Sequence, residues 1–141
     1  MASARRVALV DAGAWIALLH AGDRHASRAV GWYRGDPTVQ LVTTNYVLDE
    51  AATRLRYDVS LRHALQLRDQ VASAVDRGSL EVVWIDAAIE QGAWDVLGRY
   101  SMIKLSFTDA TSVIVAKRLK IKTIFGFDSD FRALGFDLVP G

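Results

Sequence analysis

Five short apolar runs, at residues 7–10, 39–43, 80–85, 122–127 and 136–139, alternate with stretches of helical periodicity along the whole chain. Each run has the length and β-branched content of a buried strand, and none is long enough to be a helix. Between the first two, Trp15, Ile16, Leu18 and Leu19 mark one helix, and Ala26, Val30, Trp32 and Tyr33 mark another that stops at Gly35-Asp36-Pro37. Thr44 or Asn45 is placed to cap a helix carrying Val47, Leu48, Ala51, Ala52 and Leu55 on one face. A second amphipathic helix spans about residues 60–75 and ends at Gly78, and Asp86 is placed to cap a helix through Ile89, Trp94, Val96 and Leu97. After a turn-like stretch at 100–105, Ser106-Phe107-Thr108-Asp109 leads into Val113, Ile114, Ala116 and Leu119, and residues 128–134 form a last short helix. Strands alternating with helical segments to the end of the chain predict an α/β fold: a doubly wound, mostly parallel central sheet with helices on both faces.

A chain of 141 residues, half of them hydrophobic, is expected to form a single domain over residues 1–141. The absence of cysteine excludes a disulfide framework, a thiolate metal site and a cysteine nucleophile, and suits a reducing cytoplasm. His20, His25 and His63 lie on polar or amphipathic stretches without metal-ligand pairing, so zinc is disfavoured and these histidines read as solvated or structural. Arg5-Arg6 before residues 7–19 has the outline of a signal peptide, yet Asp11 interrupts the apolar run and a globular pattern follows. Secretion is not expected, and no segment has the length of a membrane span.

Four acids stand out against this alternation: Asp11 and Asp128 end strands, while Glu50 and Asp109 lie at or soon after helix starts. Each has an ordinary structural explanation. Asp11 and Asp128 are placed to cap helices, Asp109 stands three residues after Ser106 in capping-box spacing, and Glu50 faces Arg54 one turn later. All four nonetheless fall at the carboxyl edge of the predicted sheet, where ligands of such folds bind. Clustered carboxylates must hold protons, pair with bases or bind a cation. All-oxygen ligation selects Mg²⁺ or Mn²⁺, and water activated there against a phosphodiester makes a hydrolase. The net charge is +1. Setting the four aside from 16 acidic residues leaves 12 against 17 basic ones, a surplus of +5 compatible with a phosphate-bearing partner.

The segments VALVDAGAWIALL, TTNYVLDEAATRL, LSFTDATSVIVAKRL and IKTIFGFDSDFRALGF resemble, in order and over nearly the whole chain, the PIN-domain nucleases, in particular VapC-like toxins of toxin–antitoxin pairs. That resemblance implies a PIN-like fold and a Mg²⁺- or Mn²⁺-dependent endoribonuclease whose metal-binding and catalytic residues are Asp11, Glu50, Asp109 and Asp128. Asp11 and Asp109 would be the most direct ligands, with Asp128 and Glu50 completing the pocket. Thr108 is an auxiliary candidate through its hydroxyl, and Asp130 through its closeness to Asp128. Asp49 adjoins Glu50, but successive helical residues point about 100° apart, so both are not expected in the pocket. The implied partners are an RNA substrate, a cognate antitoxin and a second copy of the chain, with no membrane.

Arg24, Arg28, Trp32, Tyr33 and Arg34 alternate basic and aromatic side chains near the expected site edge. They read either as an RNA surface or, for Trp32 and Tyr33, as packing against the core or a partner. The amphipathic stretch from Leu48 to Val75 is similarly suited to burying an antitoxin or a second copy. Phosphotransfer receivers and haloacid dehalogenases fit less well, because Asp11 is followed by Ala12-Gly13 rather than by a partner acid. A non-catalytic PIN-like module that binds RNA or protein is the remaining alternative, and a surface built only to bind phosphates gains nothing from four carboxylates.

Overall fold

The computed structural model describes residues 6–141, so Arg5 of the Arg5-Arg6 pair lies outside the described residues. The strands are β1 (Val7–Val10), β2 (Gln40–Thr44), β3 (Leu80–Val83), β4 (Thr123–Phe125) and β5 (Asp137–Val139). The helices are α1 (Ala12–Leu19), α2 (Ala26–Gly35), α3 (Asn45–Asp58), α4 (Leu61–Asp76), α5 (Ala87–Arg99), α6 (Phe107–Arg118) and α7 (Asp130–Ala133). The strands form one sheet in the order β3-β2-β1-β4-β5, and every pairing is parallel. The expected doubly wound sheet is therefore wholly, rather than mostly, parallel.

Side chains alternate across the sheet with the two-residue period of a strand. Ala8, Val10, Leu41 and Phe125 face a core with Val47, Leu55 and Leu67 from α3 and α4, whereas Leu9, Val42 and Ile124 face Ile89, Val96, Val113 and Phe131 from α5 to α7. Both faces are thus buried, which is why the strand sequences read as nearly continuous apolar runs. Local chemistry sets the boundaries. Thr44, Ser60, Asp86 and Ser106 each accept a backbone N–H at the start of a helix. Gly78, at φ 72°, turns the chain from α4 into β3, a conformation that a Cβ would strain.

The chain lays β1, β2 and β3 outward in one direction and then crosses back to add β4 and β5 on the other side of β1. The β1/β4 boundary is the switch point at which connections diverge and leave a crevice beyond the strand ends. Asp11 directly follows β1, and Asp128 stands three residues beyond the end of β4. The topology alone therefore delivers two of the four acids to one crevice.

Candidate active site

Beyond those strand ends lies an open cleft of about 380 Å³ lined by Asp11, Glu50, Asp109 and Asp128. Asp11 is the deepest, at 7% exposed, and is the only buried acid among the described residues. Its backbone N–H continues the sheet by donating to the Phe125 carbonyl at 2.9 Å, and its own carbonyl starts α1 by accepting from Ala14 and Trp15. The Asp11 side chain, however, makes no capping bond, and Oδ1 has no hydrogen-bond partner among the described residues. Capping therefore does not explain this carboxylate. Gly126 lets it sit there, since a Cβ at that position would come within 3.1 Å of Asp11 Cβ.

Asp109 does serve in the expected capping box. Its Oδ2 accepts from the Ser106 N–H at 3.2 Å, and the Ser106 hydroxyl accepts from the Asp109 N–H at 3.0 Å. The box aims this carboxylate as well as capping α6, so the structural and site roles coincide. Replacing Ser106 by Ala is expected to cost about 1 kcal/mol through the lost cap. The same change should weaken divalent-ion binding, measured by calorimetry, because Asp109 loses an anchor. Asp128 is aimed similarly, its Oδ1 accepting from the Asp130 N–H at 2.9 Å. Glu50 reaches the cleft from α3, together with Arg54 one turn on.

The electrostatics of the four are linked. Asp11 is pushed up from 3.8 to about 7, first by burial, then by Asp109 and, less strongly, by Glu50 and Asp128, against the lowering effect of the Ala12 N–H. Burial also raises Asp109, which the Ser106 hydrogen bonds pull back down and the Asp128 and Asp130 charges raise further. Glu50 is raised by burial and then by Asp109, while Arg54 lowers it. No ion pair relieves them: among the described residues the ion pairs are Arg6–Asp36 and Arg68–Asp69. A buried, unpaired acid with shifted neighbours in a cleft is the signature of a functional site.

The other sequence candidates lie around this centre. Thr108 does not line the cleft, and its carbonyl accepts from the Thr111 hydroxyl at 2.6 Å, with the cap supplied by Ser106. Asp130 stands behind Asp128 in the first turn of α7, outside the cleft lining. Asp49 is exposed and also outside it, as the helical rotation requires. Asp23, Arg24, His25, Lys104, Ser106 and Phe127 complete the rim. Of the basic and aromatic cluster, Arg24 thus reaches the cleft, whereas Trp32 packs on Phe125 at 4.4 Å, and Tyr33 and Arg34 line a separate cavity with Trp15 and Arg77. Lys104 and Phe127 carry no site role in the sequence reading, and His25, read there as solvated or structural, lines the cleft. The signals available were Lys104 just ahead of the Ser106 cap and His25 just after Asp23, whose Oδ1 accepts from the His25 N–H at 2.8 Å.

A parallel 3-2-1-4-5 sheet with carboxylates converging at its switch point defines the class: residues 8–137 match the PIN domain family, and the chain belongs to it. Within that family it is similar to the 23S rRNA-specific endonuclease VapC20 of Mycobacterium tuberculosis, with 38% identity over 130 residues covering 90% of this chain and 93% of the relative. It is 31% identical over 134 residues to a VapC ribonuclease of Archaeoglobus fulgidus, covering 88% of this chain and 78% of that protein. The crystal structure of M. tuberculosis VapC20, described as a Sarcin-Ricin loop cleaving toxin, superposes with a TM-score of 0.81 at 31% identity, covering 92% of this chain and 95% of that one. PAE2754 from Pyrobaculum aerophilum, at 19% identity and a TM-score of 0.58, shares the fold.

Proposed function

We propose that this chain is a Mg²⁺- or Mn²⁺-dependent endoribonuclease, the toxin of a VapBC-type pair, with Asp11, Glu50, Asp109 and Asp128 as its metal-binding and catalytic residues. The observation that carries this reading is the buried Asp11 carboxylate, held among three other acids with an unpartnered oxygen. Carboxylate oxygens are the donors that hard divalent ions prefer. Among the described residues no three acids or histidines gather closely enough to hold an ion by themselves. An open set of this kind fits Mg²⁺, which keeps several waters, so that Asp11 and Asp109 would be its most direct carboxylates and Asp128 and Glu50 would complete the pocket directly or through water.

When bound, such an ion supplies charge neutralisation at the scissile phosphate and a more acidic water. The protein's own contribution is orientation: Ser106 fixes Asp109, the Asp130 N–H fixes Asp128, and Gly126 gives Asp11 its room. Arg24, Arg54 and Lys104 on the rim attract the phosphate backbone toward a cleft whose centre would otherwise repel it. The relative's 23S rRNA specificity makes a structured ribosomal RNA loop the first substrate to try.

An antitoxin, a second copy of the chain and a cytoplasmic location belong to the same reading. Tyr57, Leu61, Leu65 and Val75 are the exposed apolar side chains along α3 and α4 that such partners would cover. Among the described residues no helix is long and apolar enough to cross a membrane.

The testing experiment incubates the purified protein with a hairpin RNA carrying the Sarcin-Ricin loop, with Mn²⁺ and then with excess EDTA. Cleavage is expected only with free metal. Equal cutting in EDTA would exclude the metal-dependent mechanism, and no cutting of any RNA by the folded protein would favour a binding module.

A further inference from the structure

We propose that a second pocket, bounded by His25, Arg28, Phe127, Ser129 and Arg132, is a phosphate subsite that receives the RNA phosphate next to the one at the carboxylates. The inference rests on the nuclease reading and assigns a second position to the same substrate. This pocket, of about 200 Å³, shares His25 and Phe127 with the acidic cleft, so those two rings form a common wall. On one side of the wall the lining carries the carboxylates of Asp11, Asp23, Glu50, Asp109 and Asp128, with Arg24, Arg54 and Lys104 on its rim. On the other, among the described residues, it holds two guanidinium groups, an imidazole and a hydroxyl beside Gly126, Leu138 and Gly141, with no acidic side chain.

The chemistry of the two compartments is complementary. A phosphate at the acids needs a cation between it and the protein, whereas its neighbour along the strand can be held by protein donors directly. Arg28 and Arg132 supply such donors: both are exposed, and among the described residues neither takes part in an ion pair. A guanidinium fork matches two phosphate oxygens at once, a geometry that an ammonium does not offer.

The wall is also ordered in advance. The His25 ring lies flat on Phe127, with centroids 4.1 Å apart and planes 3° from parallel. Arg24 Nε donates to His25 Nε2 at 3.1 Å, and the Arg28 guanidinium sits over the Phe127 ring at 5.4 Å from its centroid. Stacking and cation–π contact thus hold these groups before a ligand arrives, which lowers the ordering cost of binding. Phe127 immediately precedes Asp128, and His25 follows Asp23 by two residues, so the loops that aim acids into one cleft also build the wall of the other.

The test uses the Asp109→Asn protein, in which cleavage is suppressed, and a fluorescein-labelled RNA hairpin with a single-stranded loop. Affinity is measured by anisotropy across a salt series. Adding Arg28→Gln and Arg132→Gln together is expected to weaken binding about tenfold. It should also reduce the slope of log affinity against log salt by about 0.7, the loss of one single-strand phosphate contact. Arg68→Gln on α4, which lines neither pocket, should leave the slope unchanged, and Arg28→Lys with Arg132→Lys should restore most of it. A slope unchanged in the double Gln variant overturns the subsite while leaving the nuclease reading intact. Failure of the Asp109→Asn parent to bind RNA, together with failure of the unmutated chain to cut it, overturns both.

Discussion

Asp109→Asn is expected to lower single-turnover RNA cleavage in Mn²⁺ by two to three orders of magnitude while leaving the melting temperature within a few degrees of the parent. The two halves of that expectation come from the two jobs of one carboxylate. As a cap, Asp109 only needs an oxygen to accept the Ser106 N–H, and an amide oxygen meets that need as well as a carboxylate does. As a member of the acidic cleft, it supplies negative charge, which the amide removes. On the proposed function, removing a carboxylate that would hold the ion forfeits several kcal/mol of transition-state stabilisation, and every 1.36 kcal/mol is about tenfold in rate. Asp109→Ala would confound the roles by removing cap and charge together. The isosteric change separates them, and a variant that cuts within about threefold of the parent would remove Asp109 from the catalytic set.

The same double duty explains how much of this protein is legible in its sequence. Strand and helix order follows from local patterning: β-branched runs alternate with helical periodicity, and Thr44, Ser60, Asp86 and Ser106 stand where helices begin. The acids are legible because position relative to a strand end fixes position relative to the sheet edge. Asp11 and Asp128 need no knowledge of packing to be placed together once β1 and β4 are neighbours.

What lies between elements is less legible. β4 ends at Phe125, two residues earlier than its apolar run implies, so Gly126 and Phe127 belong to the loop rather than to the strand. That shift puts Phe127 on the cleft wall against His25, a ring 102 positions away in sequence whose partner no periodicity identifies. Of the two readings open for Trp32, packing against the core is the one realised, on Phe125, and local spacing alone leaves that choice open because the direction of a helical face depends on where the whole helix docks. Side-chain meetings of this kind are decided by tertiary packing, to which local spacing is blind.

Asp11→Asn is expected to stabilise the metal-free protein, and to do so increasingly as pH rises from 5 to 8. Asp11 stands near 3.8 in an unfolded chain and is pushed up to about 7 in the fold, by burial first and by the Asp109 charge second. Because the folded value is the higher one, the contribution is fully present below about pH 4, where both states are protonated. It declines through the interval and is lost once pH passes about 7. A difference of roughly three pH units corresponds to about 4 kcal/mol as an upper bound, and part of it is shared with the neighbouring acids through their coupling. For a chain of this size that is an increase in Tm on the order of 5–10 °C at pH 8 and roughly 40% of that at pH 5, where about one of the three pH units has been traversed. An asparagine avoids the charge, keeps the shape beside Gly126 and removes the repulsion of Asp11 with Asp109 and Glu50. On the proposed metal-dependent function, divalent metal should reverse the ranking, since ion binding to the native state would stabilise the parent by RT ln(1 + [M]/Kd) and the variant far less. Scanning calorimetry at both pH values, with EDTA and then with Mn²⁺, measures all four corners. A stabilisation equal at pH 5 and pH 8 would mean that Asp11 is not charged against its surroundings. The buried carboxylate would then lose its standing as the group that a cation is needed to neutralise.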